Sequence, residues 1–209
     1  MILSPERRKS LAAKAAGLHD NLANVVAVQS YLDTRGISSV VAEMFQLGAT
    51  EDGSRLSIPY LTRNGVVQIK YRCTAGHDHK SPDVSCTKYY GEAGCGYHLY
   101  NAPALIGAGE LVVVTEGELD SVMVHAYTGI PAVAYPGVKN WNPNWRYCFE
   151  GVDEVVVVAD GDDVGRNAAL QIAKKIGQAA RVVDLGDGDD ASAYIQREGA
   201  QNFLGRITQ

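Results

Sequence analysis

The sequence predicts an α/β fold: a parallel sheet flanked by helices, preceded by a smaller mixed α+β subdomain of basic character. Three observations lead there. From residue 110 onward, short and wholly apolar runs alternate with stretches of helical periodicity. Upstream, helical spacing gives way to residues that alternate like hairpin strands. The charge is also sorted: residues 55–90 carry a net +4 and residues 110–163 a net −8, within −5 for the whole chain. The change of pattern near residue 105 divides the chain into an N-terminal part, 1–105, and a C-terminal part, 106–209.

The elements follow in order. Ser4-Pro5-Glu6 reads as an N-cap with proline at the first helical position, and Leu11, Ala15, Leu18, Leu22 and Val25 recur at helical spacing. A second helix runs from about Val25 to Thr34 and stops at Gly36. Ser38 or Ser39 caps a third, which closes at Gly48. Leu56, Ile58 and Tyr60 alternate as a strand. Arg63-Asn64-Gly65 turns the chain, because Asn-Gly tolerates positive φ, and Val66 to Tyr71 returns as the partner. Residues 73–98, rich in Gly, Cys, His and Tyr, fit no regular pattern.

In the second part, Leu111 to Val114 and Val155 to Ala159 are apolar throughout, as strands buried on both faces are. Pro131–Ala134 and Ala180–Asp184 are two further short strands. Helices are predicted over about Glu118–Tyr127 and Val164–Ile176, with helical pieces from there to the end.

Composition narrows the function classes. With 209 residues, 46% hydrophobic and 21% charged, the chain has enough apolar material for one large core or two small ones. No apolar run approaches the ~18 residues needed to span a bilayer, so no membrane partner is expected. The N-terminus lacks the apolar core of a secretory signal, so the expected location is cytoplasmic. A sequence pI of about 5.5 taken alone speaks against nucleic acid. The sorting of charge reverses that, because Arg55, Arg63, Lys70, Arg72, Lys80 and Lys88 face only Asp78 and Asp83 in their segment.

Two acidic clusters directly follow buried strands: Thr115-Glu116-Gly117-Glu118-Leu119-Asp120 and Asp160-Gly161-Asp162-Asp163. The carboxyl ends of parallel strands are where open α/β sheets bind ligands. Carboxylates forced together repel unless a cation neutralises them, and all-oxygen ligation selects a hard ion, Mg²⁺ or Mn²⁺. That predicts a divalent-metal site for phosphoryl or nucleotidyl chemistry, with Gly117 and Gly161 letting the backbone turn beside it. The plainer alternative is that these acids face solvent or cap the helices that follow.

The residues also carry a resemblance. Val113-Val114-Thr115-Glu116-Gly117-Glu118-Leu119-Asp120-Ser121 resembles the glutamate motif of the Toprim domain. Asp160-Gly161-Asp162-Asp163-Val164-Gly165-Arg166-Asn167-Ala168 resembles its paired-aspartate motif in the form primases carry. Gly188-Asp189-Asp190-Ala191-Ser192-Ala193-Tyr194-Ile195 is similar to a later primase motif, with Asp189 where a lysine usually stands. Upstream, Tyr31 to Ile37, Phe45 to Gly48, Ser57 to Tyr60, Gly65 to Val67, Arg72, Lys88-Tyr89 and Leu99 to Asn101 are similar to the catalytic core of bacterial and phage primases. The resemblance is thus to the Toprim-domain DNA primase catalytic core, and it covers roughly residues 25–200.

This resemblance implies a Toprim-type parallel sheet and synthesis of short RNA primers on single-stranded DNA from nucleoside triphosphates. It implies that Glu116, Asp160 and Asp162 are catalytic and hold Mg²⁺ or Mn²⁺, with Glu118, Asp120 and Asp163 as accessory acids. Lys70, Arg72 and Lys88 would hold template or triphosphate through phosphates, and Gly137 would form the turn after the second Toprim strand. Tyr89, Tyr90, Trp141 and Trp145 either stack on bases or fill the core.

No cysteine precedes Cys73, so the family's N-terminal zinc module is not in this sequence, and no Gly-x-x-x-x-Gly-Lys-Ser/Thr motor motif occurs. The expected partners are therefore a separate zinc-binding module and a replicative helicase, and the compact layout fits a phage source. Cys73, His77, His79, Cys86, Cys95 and His98 crowd one segment, but the Cys-x₂₋₄-Cys pairs of zinc sites are absent, and a loop without metal is expected. The competing functions are a Toprim nuclease, which would use the same acids, and a non-catalytic single-stranded DNA-binding replication factor.

Overall fold

The computed structural model describes residues 3–79 and 81–209; Lys80, counted above in the basic segment, lies outside them. The chain divides into two compact units, Met1–Gly96 and Tyr97–Gln209.

In the first unit, helix α1 (Pro5–Leu22) starts as its cap predicts, with Ser4 Oγ accepting from the Arg7 N–H at 3.2 Å. Helices α2 (Val26–Thr34) and α3 (Ser39–Met44) follow, the latter capped by Ser38 Oγ, which accepts from the Val41 N–H. The third helix was expected to reach Gly48 and does not. Gln46 adopts a left-handed φ of 51°, and Gly48–Ala49 is instead strand β1. The cause is tertiary: a Cβ on Gly48 would lie 2.5 Å from the carbonyl carbon and oxygen of Leu18, so α1 runs directly against this backbone.

Strands β2 (Arg55–Thr62), β3 (Gly65–Cys73) and β4 (Tyr89–Gly91) complete an antiparallel sheet in the order β1-β2-β3-β4. The predicted turn is present, with Gly65 at a φ of 91°. Leu56, Ile58, Ile69 and Tyr71 are buried, as are Leu11 and Ala15 of α1, which crosses β3 and β1. Glu92, just past β4, ties the helix down: it accepts from Lys14, Tyr71 and Arg7. Burial would raise its carboxyl, but these donors outweigh burial and hold it below its ordinary value.

The second unit holds β5 (Leu111–Thr115), α4 (Glu118–Thr128), β6 (Ala132–Ala134), β7 (Glu154–Ala159), α5 (Asp163–Ile176), β8 (Ala180–Asp184), α6 (Ala191–Glu198) and α7 (Ala200–Ile207). The sheet is parallel, in the order β6-β5-β7-β8. Val112, Val113, Val114, Val155, Val156 and Val157 have no exposed surface, which is why their runs carry no polar alternation. This unit begins at Tyr97, not at the expected residue 106. Tyr100 and Ala134 exchange backbone hydrogen bonds and Asn101 Nδ2 donates to the Ala132 carbonyl, so residues 99–101 cover the free edge of β6. No helix among the described residues is long and apolar enough to cross a membrane.

Two glycines make opposite predictions. Gly48→Ala drives a methyl into the α1 backbone and should lower unfolding free energy by about 1–3 kcal/mol. Gly17, exposed within α1 and with open space around its Cβ position, should gain about 0.5–1 kcal/mol as alanine. Urea denaturation of the two variants measures both signs.

Candidate functional site

Parallel register brings the two acidic clusters together. Thr115 pairs with Ala134, and Val114 pairs with Val157, so β6, β5 and β7 end side by side. The residues just beyond these ends are Tyr135, Glu116 and Asp160. The Tyr135 hydroxyl donates to Glu116 Oε2 at 3.4 Å. Burial first, then the Glu116 and Asp160 charges, raise that hydroxyl above its ordinary value, so it stays a protonated donor within the field of both carboxylates.

Glycines set the position of Asp160. A Cβ on Gly165 would lie 2.6 Å from Asp160 Cβ and 2.7 Å from its carbonyl oxygen, so α5 can begin against Asp160 only without a side chain there. The Gly161 N–H donates to the Asp189 carbonyl at 2.7 Å, and the Gly188 N–H donates back to Gly161 at 2.9 Å. A Cβ on Gly161 would lie 2.5 Å from the Asp189 nitrogen. This backbone clasp joins the paired-aspartate loop to the loop after β8.

The remaining acids divide by partner. Asp162 caps α5, accepting from the Gly165 N–H at 2.7 Å, and Asp163 is solvent-exposed, 3.4 Å from Arg166. Both thus follow the plainer reading. Glu118 and Asp120 are buried on α4. Asp120 Oδ1 accepts from the Ser192 N–H at 3.0 Å and from its hydroxyl at 2.5 Å, while Oδ2 lies where a Cβ on Gly117 would be. Asp120 is a strut between α4 and α6. Burial first, then the charges of Asp190 and Asp160, push its carboxyl up to about 7 against the Ser192 hydrogen bonds. Asp189, in the usual lysine position, receives both Nη atoms of Arg197 at 2.6 Å, and that guanidinium holds it below its ordinary value.

Among the described residues, no three of these acids bring their oxygens within 4.8 Å of one another. Among the described residues Glu116, Asp160 and Asp162 thus do not form a closed cage: Glu116 and Asp160 follow adjacent strand ends, and Asp162 caps α5. The donors are all anionic oxygens, and the neighbouring charges of Asp190 and Asp160 add to burial in pushing Asp120 up. Such a set fits a hard divalent cation that keeps several waters.

The first unit gathers the basic residues. The Tyr89 ring has Lys70 Nζ at 4.6 Å, the Arg72 guanidinium at 5.0 Å and Lys88 Nζ at 6.0 Å from its centroid. Arg72 also hydrogen-bonds the Tyr89 hydroxyl. Tyr90 stacks on Tyr71 at 4.8 Å, with Arg55 over its ring. Tyr31, beneath Arg35 and Arg72, adjoins the Tyr89 side through Arg72. Gly137 lies in the other unit, in the turn after β6, at a φ of 87°.

One open alternative is decided, and one sequence expectation needs correction. Trp141 and Trp145 meet edge to face at 5.5 Å, Trp141 in the core beside the parallel sheet and Trp145 packed against it, so of the two readings left open the packing one describes their surroundings. The 73–98 segment is more than an irregular loop: Cys73, His77, His79 and Cys86 place their ligand atoms within 4.8 Å of one another, without a Cys-x₂₋₄-Cys pair. Cys95 instead lies near Arg7 and the Ala93 carbonyl. Sequence reading gave no supporting role to Tyr135, Ser192 or Arg197 at the acidic edge, and none to Tyr31 and Arg35 beside Arg72; Arg55 it counted only as charge. Ser192 does carry a signal, two residues after the Asp190 helix cap.

Comparison with known proteins matches residues 111–201 to the Toprim domain. The chain is 34% identical over 157 residues to the Gene 57 protein of Mycobacterium phage D29, covering 73% of this chain and 97% of that one. It is 29% identical over 119 residues to the DNA primase of Salmonella typhimurium, covering 54% of this chain and 20% of the primase. The chain thus spans about a fifth of that primase's length. A crystal structure of a DNA primase domain from Pseudomonas aeruginosa superposes with a TM-score of 0.78 at 23% identity, covering 97% of this chain and 78% of that one.

The Asp120 environment sets a pH dependence. A carboxyl raised to about 7 binds more protons folded than unfolded, so its contribution to stability falls as pH rises from the ordinary carboxylate range toward 7. Asp120→Asn keeps an acceptor for Ser192 and removes the charge. Its melting temperature, measured with chelator present, should gain on the wild type between about pH 5 and about pH 8. Parallel curves would show that the carboxyl is ionised throughout.

Proposed function

We propose, for a chain that belongs to the Toprim-domain DNA primase catalytic-core family, that it synthesises short RNA primers on single-stranded DNA by nucleotidyl transfer from nucleoside triphosphates. The observation that supports this most is the pairing of Glu116 and Asp160 at adjacent strand ends beneath the Tyr135 hydroxyl. In the reaction, a primer 3′-hydroxyl displaces pyrophosphate from the incoming nucleotide. A divalent cation, Mg²⁺ or Mn²⁺, would supply charge neutralisation for the triphosphate and lower the pKa of the attacking hydroxyl.

Glu116 and Asp160 would hold that cation, with Asp162, Glu118, Asp120 and Asp163 contributing negative field. Tyr135 orients Glu116 through its hydrogen bond. Gly161 and Gly165 hold Asp160 at the strand end, and Asp120 locks α6 beneath the site through Ser192. In the first unit, Lys70, Arg72 and Lys88 would take phosphates of template or nucleotide, and the Tyr89 ring would offer a stacking face. The working partners in this reading are template DNA, a separate zinc-binding module and a replicative helicase, in the cytoplasm of a phage host.

Primer synthesis from labelled ribonucleotides on single-stranded DNA, with Mg²⁺ or Mn²⁺ and with or without a zinc-module partner, tests this. Asp160→Ala and Glu116→Gln should each lose at least about 100-fold, since metal ligation supplies several kcal/mol to the transition state. Arg72→Ala and Lys88→Ala should weaken DNA binding across sequences and reduce its salt slope by about one each. A wild type inactive in every condition, or a fully active Asp160→Ala, sinks the reading. Template cleavage without primers would identify a nuclease instead.

A further inference from the structure

The β3–β4 connection has no apolar anchor of its own. Residues 74–88 are half-buried or exposed wherever described, and the loop is held by few backbone hydrogen bonds, such as Ser81 to Asp78 and Val84 to Ser81. Yet it brings four soft or borderline donors to one point. Cys73 is the last residue of β3, buried, and backbone-paired through its N–H to Lys88. From there the chain returns His77, His79 and Cys86 to the Cys73 thiol.

The sulfur–sulfur and nitrogen–nitrogen distances match one tetrahedral ion, and the two sulfur–nitrogen distances that follow fall on either side of the about 3.5 Å such an ion sets. Cys73 and Cys86 Sγ are 3.6 Å apart, and His77 and His79 Nε2 are 3.2 Å apart. His77 Nε2 lies 3.7 Å from Cys73 Sγ and 2.8 Å from Cys86 Sγ. A tetrahedral Zn²⁺ with bonds of about 2.3 Å to sulfur and about 2.0 Å to nitrogen separates its sulfurs by about 3.8 Å and its nitrogens by about 3.3 Å. Two thiolates and two imidazoles select zinc over the hard cations suited to the acidic edge.

We propose that Cys73, His77, His79 and Cys86 form a structural Zn²⁺ site within the basic subdomain. Four protein donors fill the coordination shell, so the ion has no open position for chemistry. It staples a loop that lacks a hydrophobic core, the role zinc takes in small metal-stabilised folds. Two thiolates balance the ion's charge, so the site leaves the positive character of its neighbours intact. Those neighbours matter, because the same loop lines a groove of about 640 Å³ together with Tyr31, Arg35, Arg72 and Lys88. The staple fixes one wall of that cationic groove.

Metal analysis of the full chain, purified under reducing conditions with zinc in the medium, should find one Zn²⁺ per chain. Exchange with Co²⁺ should give the intense visible bands of a tetrahedral ion and a thiolate charge-transfer band. Cys86→Ser and His79→Ala should lose the zinc, whereas Cys95→Ser and Cys148→Ser should keep it. Chelation should make the 74–88 segment sensitive to protease and leave the parallel-sheet unit resistant. The proposal falls if zinc is substoichiometric, if cobalt binds octahedrally without a thiolate band, or if Cys86→Ser retains the ion. It also falls if Cys73 and Cys86 are joined as a disulfide in the freshly isolated protein. The cobalt spectrum of the wild type decides the matter even where a variant fails to fold.

Discussion

Everything at the acidic edge depends on how closely backbone can approach backbone at the ends of β5 and β7. Parallel register aligns the two strand ends, but alignment alone would leave Glu116 and Asp160 on loops free to move apart. Gly165 admits the first turn of α5 against Asp160, and Gly161 admits the loop after β8. Gly117 admits the Asp120 carboxylate. A methyl at any of these positions would overlap backbone or carboxylate atoms. The acidic edge is therefore a product of close approach, and its carboxylates are placed by residues that have no side chain.

Such crowding of negative charge has to be managed, and the fold does so unequally. Around the edge, acids are matched with donors: Asp189 with Arg197, Asp184 and Asp187 with Arg166, and Asp120 with the first turn of α6. The Arg166 guanidinium is held still more firmly protonated by its two aspartates. At the centre, Glu116 meets the hydroxyl of Tyr135, a neutral donor. The cationic partners thus lie on the periphery, and the strand ends keep a negative field of the kind that suits a divalent cation.

The first unit solves a different problem. Its sheet is closed on one face by α1 and anchored by Glu92 with its donors, yet the long connection before β4 has no core to bury. Aromatic rings there carry cations on their faces, and Cys and His donors converge where apolar side chains would otherwise be needed. An acidic chain can hold a basic face because the two kinds of charge lie in different units.

Local pattern was enough to read the elements. Valine runs marked the buried strands, Ser4 and Ser38 marked helix starts, Asn64-Gly65 marked the hairpin, and the acids after two strands marked the edge. These features depend on neighbours in sequence, through backbone geometry and periodicity. What depends on distant neighbours was not legible. Gly48 looked like a helix stop and is a strand pressed on α1; Trp141 and Trp145 could be read as base platforms or as packing residues, and they pack in and against the core; residues 99–101 belong to the unit whose sheet edge they cover. The acids all follow buried strands, and only tertiary contact shows what each touches: Glu116 the Tyr135 hydroxyl, Asp162 the first turn of α5, and Asp120 the first turn of α6. The Cys and His residues had no ligand spacing to find, because loop closure, not sequence interval, sets the distance between their donor atoms. The sequence by itself determined which chemistry the chain carries; the tertiary structure decided which atoms face one another, since side-chain direction follows from register and packing across the fold.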